Sequence, residues 1–155
     1  MYVFDNSPLS TLFRNFYPSR FPSLWRRFDT LIDNGSIVST REVLREVNDS
    51  SIEYLRSWAR DHHDLFYQPT AAEGKYVARI FAVQHFQQNI ETQKLLRGGK
   101  NADPFVVAKA ATEKRAVVTM EKFKENAAKI PSICKHFHVP CITLEQFMEN
   151  EGWEF

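Results

Sequence analysis

The chain has 155 residues, with 20 Lys or Arg against 19 Asp or Glu and a net charge of +1. This length suits one domain spanning residues 1–155 with a real core, and 43% hydrophobic against 25% charged residues excludes wholesale disorder. A nearly neutral chain does not coat nucleic acid by charge alone, so any such contact has to be local.

Taken in chain order, Tyr2-Val3-Phe4 is a short apolar strand that ends at Asp5. Leu24, Phe28, Leu31 and Ile32 follow at helical spacing. Asn34-Gly35 is a turn pair before the strand Ile37-Val38. Val43, Leu44 and Val47 form one helical stripe, and Ile52, Leu55, Trp58 and Ala59 form another. Leu65-Phe66-Tyr67 reads as a weak strand stopped before Pro69. Val77, Ile80, Phe81, Gln84 and Phe86 predict one long helix over about 73–96, ended by Gly98-Gly99. Asp103 suits an N-cap and Pro104 a first turn, opening a helix through Phe105, Val106, Ala108 and Ala110. Ala116-Val117-Val118 is the next strand, apolar stretches from Ile130 to Phe137 and Leu144 to Met148 read as helices, and the tail lays out as helix 127–138, strand 141–143 and helix 144–150. Strands alternating with helices predict an α/β fold with a largely parallel sheet, whose sites collect at the C-terminal strand ends.

Asp5, Asp103 and Glu121 fall at such strand ends or helix starts, and Glu46 sits one turn into the helix after the second strand. Read singly, they are a turn residue, an N-cap and solvated charges. Together they repel unless a cation sits among them. Hard divalent ions such as Mg²⁺ and Mn²⁺ take oxygen ligands and support phosphodiester cleavage, so the set points to metal-dependent phosphoryl chemistry. Glu42 lies one turn from Glu46 and alternates with Arg41 and Arg45, as a solvated charged face does.

Four motifs carry a family resemblance. They are Val3-Phe4-Asp5-Asn6-Ser7, Ser39 to Val47 with Glu42 and Glu46, Ala102 to Ala108 with Asp103, and Val117-Val118-Thr119-Met120-Glu121. In this order and spacing the chain resembles the PIN-domain family of metal-dependent ribonucleases, which includes VapC-type toxins. The resemblance implies a three-layer sandwich whose central parallel five-stranded sheet, in order 3-2-1-4-5, is flanked by helices. It also implies an endoribonuclease that uses Mg²⁺ or Mn²⁺ and acts on RNA, often as the toxin of a toxin–antitoxin pair. A small antitoxin protein and a homodimer come with that role. Asp5, Glu46 and Asp103 match the metal-binding acids, with Glu42 the other candidate for the second. Glu121 matches the fourth, where the family more often has Asp, and would complete the pocket or hold a second ion. Ser7 and Thr119 would orient carboxylates or the attacking water. Asn6 stands where the family usually has Thr or Ser.

Between residues 94 and 129, nine Lys or Arg against four Asp or Glu give a net +5, a candidate approach surface for RNA. Arg14, Arg20, Arg26 and Arg27 form a second basic group, and Gly98-Gly99-Lys100 reads as a loop that could touch a phosphate. The last 11 residues carry four Glu and no basic residue, and could fold back on a basic surface. Phe13, Phe16, Tyr17, Phe21 and Trp25 read as a core helix pair or, alternatively, an interface groove.

The remaining features argue against other classes. Cys134 and Cys141 form no CxxC pair, and their spacing with His136 and His138 matches no standard zinc site. They predict a reducing, cytoplasmic setting. No apolar run approaches the ~20 residues that span a bilayer. Nothing resembles a nucleophile–His triad. Ser7 stands where a haloacid-dehalogenase-like phosphatase needs its second Asp. A PIN-like module that binds a partner or RNA without cleaving it remains the main rival.

Overall fold

The protein is described from a computed structural model covering residues 1–96, 101–125 and 127–155, with the side chains of 93–96 excluded. The elements run β1 (Tyr2–Phe4), α1 (Asn6–Asn15), α2 (Pro22–Asp33), β2 (Ile37–Thr40), α3 (Arg41–Asn48), α4 (Glu53–Asp61) and β3 (Phe66–Tyr67). They continue α5 (Ala71–Phe81), α6 (Gln84–Leu96), α7 (Asp103–Glu113), β4 (Ala116–Val118), α8 (Ile130–Phe137), β5 (Cys141–Ile142) and α9 (Leu144–Asn150).

The strands form a five-stranded sheet in the order β3-β2-β1-β4-β5. Every pairing is parallel, with Val3 opposite both Val38 and Val117. This is the order that the PIN resemblance implies. Parallel strands put all their C-terminal ends on one edge, so Asp5, Thr40 and Thr119 leave the sheet side by side.

Helix starts are set locally. Thr40 Oγ1 accepts from Val43 N–H at 3.2 Å and starts α3 directly off β2. Capping boxes built by Thr70 with Glu73 and by Thr143 with Gln146 start α5 and α9. Gly35, at φ +77°, makes the turn from α2 into β2. Arg115 clamps that turn by donating to the carbonyls of Gly35 and Ser36 at 2.9 and 3.2 Å.

β1 is buried on both faces, and Phe4 meets Phe28 and Phe147 edge-on at 5.5 and 5.1 Å. The aromatic N-terminal segment is core. Phe13 and Trp25 are buried 4.6 Å apart, and Trp25 Nε1 donates to Phe16 O at 2.6 Å. Tyr17 alone of that group is half exposed.

Three expectations are corrected. The pattern over 73–96 is two helices, because Phe86 and Ile90 fall off the face on which Val77 and Ile80 are buried, and the chain breaks at 82–83 to bury both pairs. Asp103 is the first residue of α7 and Ala102 its N-cap, while Asn101 Oδ1 accepts from Asp103 N–H at 3.1 Å. Of the two extents read for the next helix, Ile130 to Phe137 holds and 127–138 is too long, with Pro131 in the first turn. The predicted Gly98-Gly99-Lys100 loop lies outside the described residues.

The acidic tail folds back. Tyr2 OH donates to Glu151 Oε1 at 3.1 Å, Trp153 packs edge-on against Phe147, and Arg27 lies over Phe155 at 5.1 Å. Burial, and then Glu151, push the Tyr2 phenol pKa up. Among the described residues no helix is long and apolar enough to cross a membrane.

Candidate active site

An open cleft of about 520 Å³ lies at the C-terminal edge of the sheet. Asp5 enters it directly from β1, and Asn6, Ser7, Ser10, Thr11 and Arg14 line it from α1. Glu46 and Asp49 reach it from the end of α3, Asp103 from the first residue of α7, and Glu121 from the chain after β4. Asp5 and Asp103 are 3% and 1% exposed. Four segments far apart in sequence therefore bring carboxylates to one cleft.

Asp5 is the N-cap of α1, yet its side chain makes no capping bond. Its Oδ2 instead accepts from Ser7 Oγ and Thr119 Oγ1, both at 3.0 Å. Each hydroxyl gives its one proton to Asp5 and accepts a backbone proton in return. Met120 N–H donates to Ser7 Oγ at 3.0 Å, and Glu121 N–H to Thr119 Oγ1 at 3.1 Å. The 3.3 Å approach of the two hydroxyls to each other thus has no proton left to share. The web ties the chain after β4 to the buried carboxylate.

Glu46 Oε1 accepts from Ala102 N–H at 3.0 Å, joining α3 to the start of α7. Glu121 Oε2 accepts from Ile130 N–H at 2.9 Å, which satisfies a donor at the start of α8 and draws the longer Glu side chain back toward that helix. Glu42 does not line the cleft. It is buried against Arg41, whose Nη2 donates to its Oε1 at 3.2 Å, so the expected solvated face is corrected for this residue.

Sequence reasoning named Ser7 and Arg14 but missed Asp49, Ser10 and Thr11. Asp49 stands three residues beyond Glu46, and Ser7, Ser10, Thr11 and Arg14 recur at helical spacing, so both signals were periodic.

The lining is rich in oxygen donors, the chemistry that a hard divalent cation takes. In the described conformation, no group of three or more His, Cys, Asp or Glu among the described residues is arranged to hold a metal ion. The donor set fits such an ion by chemistry, and the carboxylates would have to draw inward around it.

The basic surface is smaller than the sequence count. Lys109 is buried between Glu73 and Glu113 at 3.4 and 2.6 Å, and Arg115 is bound to Glu113 and the Gly35 turn. Lys122 and Lys124 remain exposed beside Glu121. The side chains of Lys94, Arg97 and Lys100 lie outside the described residues.

Cys134 and Cys141 are free thiols. The neighbouring Cys141, and then burial, push the Cys134 pKa up, and the neighbouring Cys134 draws Cys141 down. Cys141 is also the more exposed. Iodoacetamide is therefore expected to label Cys141 before Cys134, as read by peptide mass spectrometry; equal rates would contradict this order.

No curated protein matches the chain. A chain of the crystal structure of VapBC2 from Rickettsia felis, bound to a DNA fragment from their promoter, is similar at 15% identity and a TM-score of 0.48, covering 92% of this chain and 97% of that one. The family model described as DUF4411, a domain of unknown function, matches residues 2–155, and the chain belongs to that family.

Proposed function

We propose that the protein is a divalent-metal-dependent endoribonuclease. The observation that supports this reading is the convergence of Asp5, Glu46, Asp103 and Glu121 from four separate segments on one cleft rich in oxygen donors. Asp5, Glu46 and Asp103 would hold Mg²⁺ or Mn²⁺, and Glu121 would complete the pocket. A bound ion of this kind lowers the pKa of a coordinated water and offsets charge on the attacked phosphate. Ser7 and Thr119 fix one oxygen of Asp5 and so aim the carboxylate. Arg14, on the rim, meets an RNA phosphate with a charge-assisted hydrogen bond. The role of toxin, a small antitoxin partner and a homodimer are what the PIN resemblance adds to this reading. The free cysteines favour a reducing, cytoplasmic setting for a single domain spanning residues 1–155.

The test is incubation of labelled RNA with Mg²⁺, Mn²⁺ or EDTA, comparing wild type with Glu46→Gln and Glu42→Gln. Cleavage is expected with metal, is lost in EDTA and in Glu46→Gln, and survives in Glu42→Gln, whose side chain is turned to Arg41. Equal loss in both variants would break the assignment of the second acid.

Two observations favour a second reading. Glu121 Oε2 is engaged by Ile130 N–H, and among the described residues no ready-made metal group exists. A PIN-like module that binds a partner or RNA without cutting fits both facts. It predicts RNA or partner binding indifferent to metal, and no cleavage in any of the incubations.

A further inference from the structure

A second cavity, of about 500 Å³, lies beyond the acidic cleft on the side of α8. His85, Phe86, Phe123, Glu125, Ser132, Lys135 and His136 line it. Phe123 is 50% exposed, an unusual position for so large an apolar ring. Lys135 Nζ stands 4.6 Å from the Phe123 ring centroid. His136 packs edge-on to the buried Phe86 at 5.3 Å and lies 6.3 Å from His85. Lys135, His85 and His136 thus share the cavity with one acid, Glu125, and Lys122 and Lys124 are exposed on the chain either side of Phe123.

The two cavities share one stretch of chain. Glu121 lines the first and Phe123 the second, and two residues of extended chain span at most about 7 Å. That stretch is pinned to α8 at both ends, by Glu121 Oε2 on Ile130 N–H and by Ser132 Oγ donating to Lys124 O at 2.7 Å. The exposed ring is therefore only a short stretch of chain away from the carboxylate cleft.

We propose that this cavity is a subsite for single-stranded RNA, in which a base stacks on Phe123 while Lys135 and His136 meet the adjoining phosphates. The subsite rests on the ribonuclease reading and names the form of substrate it takes. An aromatic face stacks on any unpaired base, whereas a duplex hides its bases from such a ring. Lys135 supplies a phosphate contact that a protein partner with an apolar face would leave unmatched.

The experiment is fluorescence anisotropy with a short labelled oligouridine in EDTA, where no metal-dependent cleavage competes. Wild type is expected to bind the single strand, and a duplex of the same length more weakly. Phe123→Ala is expected to weaken binding about ten-fold, with Phe123→Tyr restoring it. Lys135→Ala is expected to flatten the slope of log affinity against log salt by about 0.7. These side chains are exposed, so circular dichroism should show each variant folded. Binding unchanged in Phe123→Ala, or no binding by wild type, overturns the subsite. Parallel cleavage assays separate the two ideas. Wild type that binds through Phe123 but never cuts defeats the nuclease reading and leaves the subsite. Wild type that cuts, with Phe123→Ala binding and cutting equally well, defeats the subsite alone.

Discussion

Asp5→Asn is expected to abolish metal-dependent RNA cleavage while leaving the protein folded. The carboxylate is buried at the C-terminal end of the central strand, where the chain cannot move it without disturbing β1. Asn keeps a carbonyl oxygen that can accept from Ser7 and Thr119, so the hydrogen-bond web persists. It loses the negative charge that a hard cation requires. Loss of an outer hydrogen-bond partner of a metal ligand costs about 10–100-fold in activity or affinity. Loss of a ligand's charge should exceed the upper figure. The thermal midpoint should stay within about 4 °C of wild type, about 1 kcal/mol or so for a chain of this length. Single-turnover cleavage and a melting curve on the same sample read both quantities. Cleavage retained in Asp5→Asn would remove Asp5 from the chemistry.

Lys109→Ala is expected to destabilise the fold as much as truncation of a core aromatic. Lys109 lies in α7, 4% exposed, between Glu73 of α5 at 3.4 Å and Glu113 at 2.6 Å, with its Nζ 4.7 Å from the Tyr67 ring centroid. Glu73 is itself 3% exposed, and its other oxygen accepts from Thr70 N–H at 2.6 Å in the capping box of α5. Truncating the lysine leaves the Glu73 carboxylate buried without its cation. Breaking such a pair costs about 3–5 kcal/mol, or roughly 6–20 °C in thermal midpoint for a chain of this size. The double variant Lys109→Met with Glu73→Gln should recover most of the loss, because no charge is then stranded and the amide oxygen still serves the cap. A loss below about 1 kcal/mol in Lys109→Ala would show that water or a shifted Glu73 relieves the charge. The pair matters to the site because α7 carries Asp103 in its first turn.

The parts of the fold that were legible in the sequence are those with local causes. Tyr2-Val3-Phe4 and Ala116-Val117-Val118 are short apolar runs, and both form strands buried in the middle of the sheet. Asn34-Gly35 marks its turn because the glycine takes a positive φ. The parts that were not legible depend on distant partners. Lys109 looks like one more surface cation until Glu73, 36 residues away, is placed against it. The break after α5 is invisible to a periodicity that accepts Gln84 on an apolar face, since only the burial of Phe86 and Ile90 shows that the face has turned. Asp103 gives a good local N-cap signal, and Asn101 two residues earlier takes the capping bond instead. In the cleft, Asp5, Asp103 and Glu121 could be named from their places at strand ends and helix starts, and Glu46 through the family resemblance, with Glu42 as its alternative. That Glu42 turns to Arg41 while Asp49 reaches the cleft depends on how α3 sits against α7, which no local pattern carries.

The most direct test of the account is calorimetric titration of Mn²⁺ into the purified wild-type protein, beside Asp5→Asn and Asp103→Asn. It asks whether the cleft takes a divalent cation, independently of whether the right RNA has been found. The account predicts saturable Mn²⁺ binding by wild type that is lost in both variants while each remains folded. A folded wild type that binds no Mn²⁺, or binding that survives unchanged in both variants, would contradict it.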